Sequence, residues 1–223
     1  DGDNLPEGVS LDSGYAIPMF AGDAMGRTTA PMIMVPYGEN ALAAQARAKA
    51  ESPNRLVAIR LEVTPDAAQQ VIQLTKDGAE VVHLVYDAHG REHAETGARH
   101  LKDSLREIHR ALVKEGIRDM VTLIASGGIA QAEHVAKAII CGADLVAIDL
   151  PLMIALECRL CGECARGEEC PTQVADFDEA YGTQRIVNMM GAWINQLLEM
   201  LGAMGIREVR RLRGETGRCM FFE

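Results

Sequence analysis

The sequence predicts an α/β fold with a parallel sheet, either part of a (β/α)8 barrel or a doubly wound sheet. Three observations predict it. Apolar runs at 55–63, 78–87, 120–128 and 142–150 alternate with helical stretches, the order that gives parallel strands joined by helical crossovers. The runs are almost continuously apolar, as in "VTLIA" at 121–125, which suits strands covered on both faces. Finally, "DGAEVVHLV" (77–85) and "CGADLVAID" (141–149) are near-copies in which Gly-Ala-acid precedes a strand. A helix that stops at glycine and turns straight into a strand leaves that signature.

Each element follows from local chemistry. Residues 1–38 are rich in Gly, Pro, Asp and Met without a clean period and read as loop, with a short strand at 31–36. The Ala-rich stretch 39–50 reads as a helix that stops before Ser52-Pro53. After the strand at 55–63, Thr64 caps a helix with Pro65 at its first position, and that helix runs to Lys76. The strand at 78–87 leads into a polar loop with Gly90 and Gly97, then a helix at 99–114 closed by Gly116. The strand at 120–128 is followed by a helix at 131–141, the strand at 142–150, and a helix opened by Pro151. Residues 178–205 read as one long helix. Its apolar face is Ile186, Met189, Met190, Trp193, Leu197, Leu201 and Met204, a stripe expected to pack on the core. The basic stretch "REVRRLRGETGR" (207–218) reads as solvated surface.

Composition narrows the function classes. Aromatics make up 4% of the chain, so aliphatics, Ala and Met must fill the core. A formal net charge of −10 argues against nucleic acid as a partner, since phosphate neutralisation needs clustered Lys and Arg. No apolar run has the length of a membrane span, and no signal peptide is evident. The chain begins at Asp1 rather than Met, which reads as a piece of something longer. A cytoplasmic location is expected, because the cysteines are clustered rather than spread as disulfide staples.

Four of the six cysteines lie in "ECRLCGECARGEECP" (157–171), as Cys158, Cys161, Cys164 and Cys170. The spacing C-x2-C-x2-C-x5-C-P lets thiolates wrap one small inorganic cluster while intervening amides point at sulfur, and Gly162 admits the tight turn. A structural zinc is the alternative, but zinc knuckles use two C-x2-C pairs set apart. An iron–sulfur cluster therefore ranks first. Cys141 and Cys219 read as ordinary thiols. The histidines offer no ligand pair: His89 and His93 would align only on a helix, and Gly90 favours a loop. Glu92 and Glu95 read as solvated.

"IASGGI" (124–129) sits where a strand meets a helix, and backbone N–H groups there suit a phosphate. A plain tight turn explains the same residues. A side chain at Gly128 is expected to stand between those amides and a bound phosphate.

Residues 116–164, "GIRDMVTLIASGGIAQAEHVAKAIICGADLVAIDLPLMIALECRLCGEC", resemble the FMN-binding synthase domain of glutamate synthases, and the four-cysteine form with its trailing Pro171 resembles the archaeal-type branch. The tail from Tyr181 is similar to the helical segment that follows the cluster there. The resemblance covers roughly 55–213. It implies the C-terminal portion of a (β/α)8 TIM-type barrel followed by an iron–sulfur loop and a long helical tail. The divisions are a poorly matched segment at 1–54, a partial barrel at 55–157, the iron–sulfur loop at 158–171 and the helical segment at 172–223. It further implies a flavoprotein oxidoreductase that forms glutamate from 2-oxoglutarate and ammonia or glutamine nitrogen. FMN would be held by Arg60, Ser126, Gly127 and Gly128. Four cysteine ligands imply a 4Fe–4S cluster in preference to 3Fe–4S. The implied partners are an electron-donor protein and a further segment or subunit completing the barrel.

The chain departs from the family in three places. Arg60 stands where the family has a lysine facing the flavin. "YDAHGREHAE" (86–95) lacks the family's glycine series. Ile148-Asp149-Leu150 replaces Gly-Thr-Ala, so that Asp149 either repels a phosphate or caps the helix opened by Pro151. A non-catalytic electron-transfer or assembly subunit with a lost flavin site is the rival reading. No catalytic residue is assigned.

Overall fold

The computed structural model describes residues 17–20, 29–176 and 178–218. Much of the loop expected at 1–38, and Cys219, lie outside the described residues. Five strands form one parallel sheet: β1 (Met32–Pro36), β2 (Leu56–Glu62), β3 (Val81–Val85), β4 (Thr122–Ser126) and β5 (Leu145–Val146). They lie side by side in chain order. A doubly wound sheet reverses direction at a switch point; this sheet does not, and has the progression of a barrel wall. Residues before 55 join it, since β1 pairs with β2.

The crossover helices are α1 (Ala41–Glu51), α2 (Ala67–Lys76), α3 (Leu101–Lys114) and α4 (Ala132–Cys141); α2, α3 and α4 pack successively on one another. The two near-copies in the sequence are helix stops. After α2, Gly78 takes φ +95° and the Ala79 N–H reaches back to the Leu74 carbonyl; after α4, Gly142 takes φ +125° and Ala143 bonds Ala138. Both are αL terminations that aim the chain into the next strand.

Register assigns the two faces. Val35, Ile59, Val82 and Leu123 stand in one row across the sheet and are buried against helix residues such as Val71, Leu105, Ile108 and Leu112. Each such side chain contributes roughly 1.5–3 kcal/mol by leaving water. The opposite, inner face carries a smaller apolar cluster of Ala58, Val81 and Ile124, with Met32, Met34 and Ala147 against it. There Leu145, on the edge strand, remains 54% exposed.

β5 covers two residues rather than the whole apolar run, and pairs only with β4 at the sheet edge. After it come the short α5 (Leu150–Ala155), the cysteine run, and α6 (Glu179–Ala203), which packs on α4 and α5. Trp193, Leu197, Leu201 and Met204 of the expected stripe do pack inward. Met190 does not; it is exposed with Val187, Ile194 and Leu198 on another face of α6.

The basic tail is not simply solvated. Leu212 is fully buried, and Arg213 Nη1 donates to Asp144 Oδ1 at 2.5 Å while Asp144 Oδ2 accepts from buried Arg118 at 2.7 Å. Arg118 Nη1 also satisfies the Val121 carbonyl at 2.8 Å. This network ties the tail to the start of β4. Among the described residues no helix is long and apolar enough to cross a membrane.

Candidate functional site

In a parallel sheet, residues paired across strands point the same way. Arg60 of β2 therefore shares the inner face with His83 of β3, and Val85 shares it with Ser126 of β4. These side chains run from the middle of β3 to the C-terminal ends of β3 and β4, the end at which barrels build their sites. His83 Nε2 lies 2.8 Å from Ser126 Oγ. Burial, with the nearby Arg60 charge adding to it, pulls the His83 pKa down to about 4. The ring is neutral at physiological pH, and its Nδ1 is buried without a hydrogen-bond partner. Arg60 itself is half-buried and reaches Glu62 Oε1 at 3.2 Å. The inner face thus carries the Arg60–Glu62 ion pair, one neutral imidazole with a spare polar atom, and the hydroxyls of Thr122 and Ser126.

His83 was not singled out by sequence reasoning. The available signal was a polar residue at an alternate position of an apolar strand, in register with Arg60.

The loops above β3 and β4 interlock. Asp87 Oδ1 accepts the N–H groups of His89 (2.8 Å) and Arg91 (2.7 Å), closing an Asx-type turn. Gly127 and Gly128 take φ +99° and +67°. A Cβ on Gly127 would lie 2.6 Å from the Asp87 carbonyl oxygen, and one on Gly128 would lie 2.5 Å from Gly90 Cα. The expectation that a Gly128 side chain would stand before a phosphate is corrected here. That space is filled by the neighbouring loop, so these glycines serve loop-to-loop packing.

One further expectation changes. Glu92 is 2% exposed rather than solvated, and its carboxylate takes Arg99 Nη2 at 2.6 Å and the Arg99 N–H at 3.1 Å. Arg99 also pairs with Glu107, and its bonds to Glu92 and then Glu107 push its pKa upward. Asp149 Oδ1 accepts from the Leu150 N–H at 2.6 Å, so its carboxylate acts at the start of α5. His89 and His93 are exposed loop residues.

The cysteine run leaves α5 as irregular chain with short turns at Cys164–Arg166 and Val174–Asp176. Its base is clamped to α6: Tyr181 Oη donates to Glu157 Oε1 at 2.8 Å and Arg185 Nε to the Ala155 carbonyl at 2.7 Å. Cys161 and Cys164 are exposed, Cys158 and Cys170 half-buried, and none of the four is in a disulfide. Cys158 Sγ accepts the Leu160 N–H at 3.4 Å. The Val174 N–H, then the Thr172 hydroxyl and amide, hold the Cys170 pKa below that of an ordinary thiol. The four sulfurs are not gathered at one point: among the described residues, no three His, Cys, Asp or Glu side chains are arranged to hold a metal ion.

Comparison with known proteins supplies the family. Residues 91–207, just over half the chain, match the model described as the conserved region in glutamate synthase. The chain is 36% identical over 162 residues to an archaeal glutamate synthase (NADPH) of Methanocaldococcus jannaschii, covering 70% of this chain and 30% of that protein. It is 35% identical over 114 residues to an archaeal-type glutamate synthase (NADPH) of Thermotoga neapolitana, covering 48% and 22% respectively. The chain therefore spans less than a third of the length of these relatives. The recombinant flavin-binding domain of baker's yeast flavocytochrome b2 superposes with a TM-score of 0.54 at 14% identity, over 87% of this chain and 51% of that one. At that identity the likeness concerns the fold, a parallel α/β fold similar to that flavin-binding domain. On the strength of the match through residues 91–207, this chain belongs to the glutamate synthase family.

Proposed function

We propose that the chain is the C-terminal part of an FMN-binding synthase domain, in an iron–sulfur flavoprotein that forms glutamate from 2-oxoglutarate and ammonia or glutamine nitrogen. One observation carries this reading: a single family match runs from the loop after β3, through the Ser126–Gly128 turn and all four cysteines, into α6. FMN, when bound, supplies hydride chemistry and links one-electron carriers to two-electron reduction.

The chain's own residues would act as follows. Arg60 holds a fixed positive charge on the inner face, beside a neutral His83 whose unpartnered Nδ1 suits a polar ligand atom. His83 in turn holds the Ser126 hydroxyl, which orients the Gly127–Gly128 turn toward a phosphate. A further segment or subunit supplies the remaining barrel wall and covers the inner face. Cys158, Cys161, Cys164 and Cys170 hold the iron–sulfur cluster, with 4Fe–4S favoured by the four thiols. The hydrogen bonds directed at Cys170 favour thiolate, the ligand form. The exposed stretch that follows the Glu157 clamp would supply these ligands, and the cluster, when bound, would carry single electrons taken from an electron-donor protein.

FMN titration of the native full-length protein tests the flavin half of this reading. Arg60→Met should weaken binding at least tenfold, about 1.4 kcal/mol. Equal affinity in both proteins contradicts a role for Arg60.

A second reading, a non-catalytic electron-transfer or assembly subunit, is favoured by the loop at 86–95, which lacks the family's glycine series and is closed on Asp87. Cluster content without measurable FMN affinity supports it. Asp149→Gly should leave FMN affinity unchanged and cost only about 0.3 kcal/mol of stability, since glycine is itself tolerated at a helix cap. A large rise in affinity would instead make Asp149 the block.

A further inference from the structure

A cavity of about 220 Å³ lies between the first turns of α3 and α4, behind the turn that carries Ser126. Its polar lining is His100, Lys102, His134 and Lys137, with no carboxylate among the lining residues. Leu101, Ile129 and Ala138 make part of its apolar lining.

The two imidazoles are oriented by the backbone. His100 Nδ1 accepts the Lys102 N–H at 3.2 Å, and His134 Nδ1 accepts the Ala130 N–H at 3.1 Å. In the neutral ring the proton must then sit on Nε2, so both histidines offer an N–H donor from that nitrogen. The His100 Nε2 lies against Gly90 at the cavity wall, 3.3 Å from where a Gly90 Cβ would stand. Lys102 forms no ion pair with any described residue, whereas Lys137 is held by Glu133 at 2.9 Å. Burial lowers the His100 pKa first, and Lys102, Arg91 and His134 lower it further, against a single opposing carboxylate, Asp103. In a chain of net charge −10, positive potential with few counter-charges is therefore concentrated at this cavity.

We propose that this cavity is a binding site for a compact oxyanion, a phosphate or small carboxylate. Its oxygens meet His100, Lys102 and His134, and any short carbon body lies on the apolar lining. The cavity is smaller than the roughly 300–1,000 Å³ typical of larger ligands, which restricts the occupant to a small anion. Arg60, His83 and Ser126 do not line it, although it shares Gly127 and Gly128 with the turn that the family reading gives to the FMN phosphate. Because Gly90 and Gly128 form its shared wall, an occupant would brace the two loops above β3 and β4 against each other.

The test uses the native full-length protein and follows the His100 and His134 ring resonances by NMR. Inorganic phosphate, succinate and acetate are titrated in separate arms at constant ionic strength set with chloride. Saturable shifts of both rings, with both pKa values rising, are expected with phosphate or with a carboxylate, and the arm that saturates identifies the source. Lys102→Ala, a substitution that suits a helix, should weaken binding at least tenfold. Lys137→Ala should weaken it less, since Glu133 already occupies that ammonium. Shifts no larger than those of chloride in every arm, or an affinity unchanged by Lys102→Ala, overturn the site.

Discussion

His83 Nε2 and Ser126 Oγ, 2.8 Å apart, join β3 to β4 on the inner face of the sheet. Burial and then Arg60 set the pKa of His83 near 4. A histidine whose folded pKa lies below its unfolded value of about 6.5 stabilises the fold fully above pH 6.5. That contribution is lost as pH falls toward 4, because the unfolded chain then binds the proton first. His83 should therefore titrate near pH 4 by NMR, and His83→Gln should flatten part of the stability loss between pH 6.5 and 4. His100 and His109 are shifted in the same direction, chiefly by burial, and add to the same loss. A His83 ring titrating at 6.5 or above would remove its contact with Arg60 and its burial from the account.

Gly128→Ala should destabilise the fold by about 2–4 kcal/mol, combining a left-handed backbone with a clash against the Gly90 backbone. The added methyl cannot move aside, because its neighbour is main chain rather than a flexible side chain. Urea melts of the two proteins check this. A loss below about 0.5 kcal/mol, the scale of an ordinary surface change, contradicts the interlocked loops. The same experiment warns that weakened ligand binding in a Gly128 variant reports loop damage first.

Asp144 is held by the Leu123 N–H at 2.8 Å, by Arg118 at 2.7 Å and by Arg213 at 2.5 Å. Burial alone would raise its pKa, but these three donors outweigh it and keep the carboxyl below its ordinary value. Its contribution is present above the unfolded pKa and lost as pH falls through the lower folded one. Asp144→Asn should cost about 2–4 kcal/mol near neutrality, because Arg118 is left buried without its counter-charge. It should also remove part of the acid-induced loss of stability. Thermal melts across pH measure both effects, and equal stability of the two proteins at pH 7 would mean the tail docks without this network.

The parts of the fold that were legible in the sequence are those fixed by local chemistry. Gly78 and Gly142 stop helices because only glycine suits their backbone, and the repeat they leave was readable as helix-to-strand turns. Strand positions followed from apolar runs, since strands covered on both faces need them. What was not legible depends on partners distant in the fold. Glu92 is buried because the loop closes and brings Arg99 to it. His83 gained meaning only once register placed it beside Arg60. The convergence of His100 and His134 required α3 to pack on α4. β5 takes up only two residues of its apolar run, a limit that the run itself does not record. The spacing of the four cysteines suggests a donor set, but among the described residues their sulfurs are not gathered at one point.

Cys161→Ser should leave the secondary structure and melting of the protein nearly unchanged while altering its cluster. The side chain is exposed and no hydrogen bond from it holds the surrounding chain among the described residues. Electron paramagnetic resonance of the anaerobic protein before and after reduction follows the cluster, with conversion to a three-iron form or loss of iron expected. An unchanged signal would mean that Cys161 is not a ligand.

The proposed iron–sulfur flavoprotein rests on Cys158, Cys161, Cys164 and Cys170 acting as cluster ligands. The most direct measurement is the iron and acid-labile sulfide content of the native full-length protein purified without oxygen, read with its visible absorption spectrum. The account predicts about four iron and four sulfide per chain, the stoichiometry of a cluster with four cysteine ligands. It also predicts a broad brown absorbance with resolved flavin peaks upon it. Zinc in place of iron, with no labile sulfide, would contradict it.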